Sequence, residues 1–309
     1  MGCLMKSSIK GNKGLPYLLI GPACILILIF KICPILYTLV EGFTYKGSFG
    51  LGTYALLFQD PSFYKSLWVT IKMNLVITPL QIVLAVGMAL LVNTTVKGIG
   101  VFRTILYLPV TISITVATML WGMMFNANNG IINSILSIFG MAKQGFLTDV
   151  NQAIWCIIVI ATWIGVGYWM IFLLAGLKNI DEAIYESARI DGAGWFTRLF
   201  RITLPMIKNV LLFVLVADTT TNLLLFVPMQ LLTEGGPQGS TNVLMYEGYK
   251  SAFLYVDRPR SAAIVTVLLL LISLVCIIQF KLFEEKDEKR IKKENKEPRL
   301  AAKKRGRIR

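Results

Sequence analysis

Two polar residues in an otherwise apolar stretch are the first candidates for chemistry. Asp218, Asn222 and Leu225 follow one another at i, i+4 and i+7, which puts an acid and an amide on one face of a helix. Thr219, Thr220 and Thr221 add hydroxyls beside them. An earlier apolar stretch offers Ala161, Gly165 and Tyr168 at the same spacing, with Trp163 and Trp169 close by. A carboxylate, an amide and aromatic faces between helices are groups that hold a small polar ligand. An acid inside a membrane span costs about 2.5–3.5 kcal/mol on insertion scales, so it marks a pathway or an ion partner. The plainer readings are that Asp218 neutralises Lys31 or Lys72 as structural glue and that Tyr168 and Trp169 are interfacial belt residues.

Bond-breaking chemistry finds no support. The chain has no histidine and five cysteines, Cys3, Cys24, Cys33, Cys156 and Cys276, four of them inside apolar stretches where a thiol acts as a small apolar group. Disulfide frameworks, zinc sites and histidine catalysis are unsupported. No G-x-x-x-x-G-K-[ST] occurs, so no P-loop can cradle a nucleotide. No paired carboxylates or Ser/Lys dyad share a face. The chain is expected not to be an enzyme and to hold no metal or cofactor.

The elements that must position these residues are membrane spans. Of 309 residues 55% are hydrophobic and only 16% charged, with a mean hydropathy of +0.66, against about a quarter charged in a soluble domain. The apolar residues gather in blocks of about 20, the length of helix that crosses a hydrocarbon core roughly 30 Å thick. Six spans are expected, near 15–40, 67–96, 99–125, 152–176, 206–230 and 260–283, so the fold class is an all-α polytopic membrane protein. The first block is too long for a signal-peptide core and lacks a small-residue cleavage site.

With both termini inside, the inner segments hold 23 of the 31 Lys and Arg residues and the outer loops six. Basic residues concentrate on the cytoplasmic side, so a cytoplasmic N-terminus at 1–14 and a basic cytoplasmic tail at 284–309 are expected. The tail lacks interleaved aromatics. It reads as a solvated, topology-fixing segment rather than as a nucleic-acid site, with anionic lipid as the other reading.

The segment 177–205, between spans four and five, has a designed start and stop. Asn179 is expected to cap a short helix, with Glu182 closing a capping box and Asp181 adding negative charge to the first turn. Ile184, Ser187, Ala188 and Asp191 repeat at three and four residues, a face small in its middle that lets another backbone come close. Gly192 is suited to the left-handed conformation that ends a helix. A helix held between two spans in this way is a docking element for a cytoplasmic partner.

Glu186-Ser187-Ala188, then Gly192, then Ile202, Leu204 and Pro205 resemble the EAA loop of binding-protein-dependent ABC transporter permeases. Ala188-Arg-Ile-Asp-Gly-Ala193 is similar to the carbohydrate-type branch, and Leu232-Thr233-Glu-Gly235-Gly236-Pro237 resembles its outer-loop LTxGGP signature. The resemblance runs from the Pro22 and Pro34 spacing to Ser261-Ala-Ala263. The chain departs from the pattern at Ser187, where the family has alanine, and at Asp181, where proline is frequent.

The resemblance implies the type I importer permease fold in a bacterial inner membrane. It also implies two separate ATPase subunits that bind ATP and Mg, a second and different permease chain, and an extracytoplasmic solute-binding protein that delivers a sugar or oligosaccharide. Glu182, Glu186, Ser187, Ala188, Asp191, Gly192, Ile202, Leu204 and Pro205 would couple to the ATPase. Thr233, Gly235, Gly236 and Pro237 would face the binding protein, and Gly165, Tyr168, Asp218, Asn222 and Leu225 would line the substrate path, with lipid around the rest. The alternatives are import of another solute such as a glycerol phosphodiester, or an ion-coupled secondary transporter. Against the latter stands the absence of an inverted repeat.

Overall fold

The computed structural model describes the backbone of residues 15–305 and the side chains of 17–283; the expected leader and the side chains of the expected tail lie outside them. In chain order the helices are α1 (Tyr17–Gly42), α2 (Gly52–Leu57), α3 (Pro61–Val92), α4 (Ile99–Thr111), α5 (Ile114–Met124), α6 (Ile131–Ile138) and α7 (Ala153–Lys178). There follow α8 (Glu182–Ile190), α9 (Trp195–Met206), α10 (Lys208–Leu223), the π-helical turn α11 (Met229–Thr233), α12 (Leu244–Phe253) and α13 (Arg258–Arg305). Four of these are long and apolar enough to cross a membrane: α1, α3, α7 and the Arg258–Phe283 part of α13. Six spans result when α4 with α5, and α9 with α10, each count as one.

Those two pairs are sharply broken where one continuous span each was expected. α4 and α5 meet at 95°, α9 and α10 at 73°. Proline supplies the cause, since its ring removes a backbone donor and clashes with the preceding turn. Pro109 sits in a 3₁₀ turn, Leu108–Thr111, just before the first bend. Pro205 lies two residues before Ile207, where the second bend falls, and is preceded by the π turn Leu199–Thr203. Pro34 has the same device upstream, a π turn over Leu28–Ile32 closed by the Cys33 N–H on the Leu28 carbonyl. α10 also stops at Leu223, short of the expected residue 230. Its last turns carry Thr219, Thr220 and Thr221 hydroxyls donating to the carbonyls four residues back, at 2.7–2.9 Å, a contact that weakens and bends helices.

The chain forms two compact units. The larger, Pro61–Glu247 with the chain from Leu268, is centred on α3, α7 and α10. Ala85 and Ala89 present a small-residue face to Val166, Met170 and Leu173, with Val214 of α10 completing the cluster; all but Val166 are fully buried. Small residues let helix backbones approach where lipid gives no hydrophobic drive for association. A second cluster joins Phe125, Cys156 and Ile160.

The smaller unit contains the chain through Asp60 and Gly248–Val267. Here α1 is almost wholly exposed. It leads into a two-stranded hairpin, β1 (Thr44–Tyr45) with β2 (Ser48–Phe49). Asp257 accepts from the Arg260 backbone N–H at 3.0 Å, and the Arg260 guanidinium meets Asp60 at 2.6 Å and the Ser251 hydroxyl at 2.7 Å.

One close approach fixes the bent third span against α7: a Cβ at Gly167 would run into the Leu106 carbonyl oxygen. Gly167→Ala is therefore expected to destabilise the protein by about 1–3 kcal/mol through overpacking, read as a lower thermal unfolding midpoint in detergent. A midpoint equal to that of the unaltered protein would show that α4 does not rest on α7.

Candidate functional site

Three regions gather the candidate residues. In the first, α7 ends at Lys178, and Asn179 closes that helix, its N–H directed at the Gly176 and Leu177 carbonyls. The expected capping box from Asn179 to Glu182 is thus corrected. The cap of α8 is Asp181, in extended backbone, whose Oδ1 accepts from the Ala183 N–H at 3.0 Å. Asn179 is too early because it still belongs to the turn that finishes α7.

The far end of α8 is as expected. Gly192 has φ +76 and donates to the Arg189 carbonyl at 3.0 Å, while Ala193 donates to the Ala188 carbonyl at 2.9 Å. This double closure is the Schellman arrangement, which needs a left-handed residue at the glycine position.

The free face of α8 differs from the expected one. Ala188 is buried and Ile184 half-buried, so they turn toward the rest of the chain. Tyr185 is half-buried as well, its hydroxyl 3.0 Å from that of Thr203, which donates to the Arg198 carbonyl at 3.2 Å. The outward stripe is Ala183, Glu186, Ser187 and Ile190, again at i, i+3, i+4 and i+7, with Ile190 87% exposed. Glu182, Asp191 and Gly192 are exposed, and Ile202, Leu204 and Pro205 half-buried. On α9, Trp195, Phe196 and Phe200 are also exposed. Sequence reading passed over these three aromatics, whose signal is their place in a charged loop.

The second region is a polar seam between α3, α7 and α10. Asn222 donates to Gln81 Oε1 at 2.8 Å and to the Thr78 hydroxyl at 3.3 Å, and Gln81 Nε2 donates to the Ala161 carbonyl at 2.9 Å. Gly165 faces this amide: a Cβ there would stand 2.9 Å from Gln81 Nε2. Asn74 reaches the Thr219 carbonyl at 3.1 Å, and Gln279 the Thr219 hydroxyl at 2.7 Å. Asp218 is 1% exposed, with Trp169, Asn222 and Thr78 as polar neighbours, and its Oδ2 has no hydrogen-bond partner. It forms no ion pair among the described residues, and Lys31 and Lys72 are both exposed. Leu225 is buried beyond the end of α10. Tyr168 stands apart, 40% exposed and packed on Trp169 and Phe172. The structure therefore brings Gly165, Asp218 and Asn222 together and leaves Tyr168 outside. Gln81, the joint of the seam, was not among the expected residues.

The third set closes a tight loop. Glu234 and Gly235 have positive φ, Gly236–Pro237 is cis, and the Thr241 hydroxyl donates to the Gly236 carbonyl at 2.7 Å. Lys65 of α3 ties down the Gln238 carbonyl at 2.5 Å. Gly235 is buried, Thr233, Gly236 and Pro237 half-buried, and Glu234 and Gln238 exposed.

The seam can be tested as a coupled unit. Gln81→Leu and Asn222→Leu should each cost about 1–2 kcal/mol, and the double variant should cost less than their sum, since one lost contact is counted twice. Strict additivity in detergent unfolding would dissolve the seam.

Comparison with known proteins places this geometry. Residues 70–287 match the family described as "Binding-protein-dependent transport system inner membrane component". The chain is 32% identical over 283 residues to the sn-glycerol-3-phosphate transport system permease protein UgpA of Salmonella choleraesuis (strain SC-B67), covering 89% of this chain and 96% of that one, and equally to its counterpart in Shigella flexneri. Among solved structures, a chain of a bacterial alginate ABC transporter in complex with alginate pentasaccharide-bound periplasmic protein superposes with TM-score 0.78 at 24% identity, covering 86% of this chain and 92% of that one. A chain of a bacterial ABC transporter involved in the import of alginate gives 0.75 at 22% identity, covering 91% and 98%. At those identities the structures establish the fold, and the match across the bundle and the α8 loop establishes descent: this chain belongs to the binding-protein-dependent transport system inner membrane components, the membrane permease subunits of ABC importers.

Proposed function

We propose that the chain is one permease subunit of an ATP-driven importer for a neutral sugar or oligosaccharide. An extracytoplasmic binding protein delivers the solute. Two separate ATPase subunits, which bind ATP and Mg, power its passage, and a second, different permease chain completes the pathway. The lack of a P-loop supports placing ATP hydrolysis outside this chain, which is then a non-catalytic subunit. The basic-residue bias puts both termini and α8 on the cytoplasmic side, and the 232–237 loop on the side of the binding protein.

The observation that carries the sugar reading is the make-up of the seam. Gln81, Asn222, Thr78, Asp218 and the indole of Trp169 are hydroxyl-binding groups. A second reading, import of a glycerol phosphate compound, is favoured by the 32%-identical relatives named for that transport. The absence of Lys and Arg among those groups argues for the neutral solute, because nothing in the seam would pair the charge of a phosphate.

In this reading the seam opens as the spans tilt, and Asp218, Asn222 and Gly165 meet the passing solute. Asp218→Asn keeps shape and some hydrogen bonds. Sugar uptake by cells should fall or change in specificity while the membrane level of the protein holds; unchanged uptake across a panel of sugars would remove Asp218 from the path.

Coupling runs through α8, with Ala183, Glu186, Ser187 and Ile190 toward the ATPase. Space around Gly192 is open, so Gly192→Val acts only through the backbone, at about 1–2 kcal/mol. It should abolish uptake with normal insertion, and Gly192→Asn, which tolerates the left-handed region, should restore much of it. Full uptake in the valine variant would show that α8 does not transmit the stroke.

A further inference from the structure

A cavity of about 760 Å³ opens where α3, α4, α7, α8 and α9 converge, away from the seam and from the outward stripe of α8. Its charged lining is Arg103, Lys178, Arg189 and Arg198 against the single acid Glu182. Among the described residues none of the four cations forms an ion pair. Arg103 is already committed, donating to the Val92 carbonyl at 2.7 Å and the Thr94 carbonyl at 3.3 Å. Arg198 is not: its Nε is buried without a hydrogen-bond partner. A buried guanidinium donor left unmatched is costly, and a guanidinium fork sharing a cavity with a lysine suits the oxygens of a phosphate group.

The apolar part of the lining says which phosphate. Leu90 and Leu177 lie at the ends of the membrane-length helices α3 and α7, and Trp195 adds an indole, a side chain at home at the membrane surface. The volume far exceeds a bare phosphate ion and falls in the range of sites for drug-sized ligands.

We propose that this cavity is a binding site for the headgroup of an anionic phospholipid, with Arg198 and Lys178 on the phosphate and the glycerol against Leu90 and Leu177. The lipid would fill the space behind α8 and brace the helix from the side opposite its exposed stripe. The site uses no residue of the solute path and stands independently of which solute is carried.

The test uses the assembled transporter in detergent, with lipids counted by native mass spectrometry after titration with phosphatidylglycerol or phosphatidylcholine. Phosphatidylglycerol should be retained in preference, with about tenfold weaker retention in Arg198→Gln and an intermediate effect in Arg198→Lys, which keeps charge but loses the fork. If Arg198→Gln fails to assemble, Lys178→Gln reads the same contact. Equal retention of the two lipids, or no change in the variants, overturns the proposal. Release of the lipid by inorganic phosphate alone would assign the cations to a soluble phosphate and overturn it as well.

Discussion

A polar side chain in hydrocarbon must find its partners within the protein, and the larger unit is arranged around that demand. Gln81 is buried in α3, yet its amide is used twice, on the Ala161 carbonyl of α7 and on Asn222 of α10. Three helices are thereby registered to one another by a single side chain. The small residues that flank it, Gly165 on α7 and Ala85 on α3, are small because the backbones must come close enough for those bonds to form. Apolar packing alone would leave the helices free to slide, since lipid solvates leucine as well as protein does. A polar joint is also one that can be exchanged, because hydrogen bonds given to a neighbour can be given to a hydroxylated solute.

Much of the architecture is written in single residues or short runs. Blocks of about 20 apolar residues announce the spans, since the bilayer fixes their length. Gly192 announces the end of α8, since few other residues take its φ of +76. The start of α8 is harder to read, because Asn179 and Asp181 are both good caps and only the end of α7 decides between them. Prolines show where a helix can bend, not where it does: Pro79 lies within α3, which continues to Val92, while the chain turns sharply after Pro109 and Pro205.

The seam was half legible. Asp218 and Asn222 share a helix, and their spacing is visible at a glance. Gln81 is one amide in a largely apolar run, with only Asn74 and Thr78 on its face, and its partner is 141 residues away. One turn on from Gly165, Tyr168 lies where the helix face has rotated outward, and Trp169 takes the inward position. On α8 the same rotation separates Ser187, which faces out, from Ala188, which faces in.

The link between Tyr185 and Thr203 has a mechanical meaning. It clamps α8 to α9, and α9 meets α10 at 73°. A load applied to the outer stripe of α8 would reach α10 only through that bend. As a crank arm pivoting at Ile207, the pair would turn a sideways displacement of α8 into torque on α10. Asp218 and Asn222 lie on that shaft, so a roll of α10 would turn them away from Gln81 and Thr78.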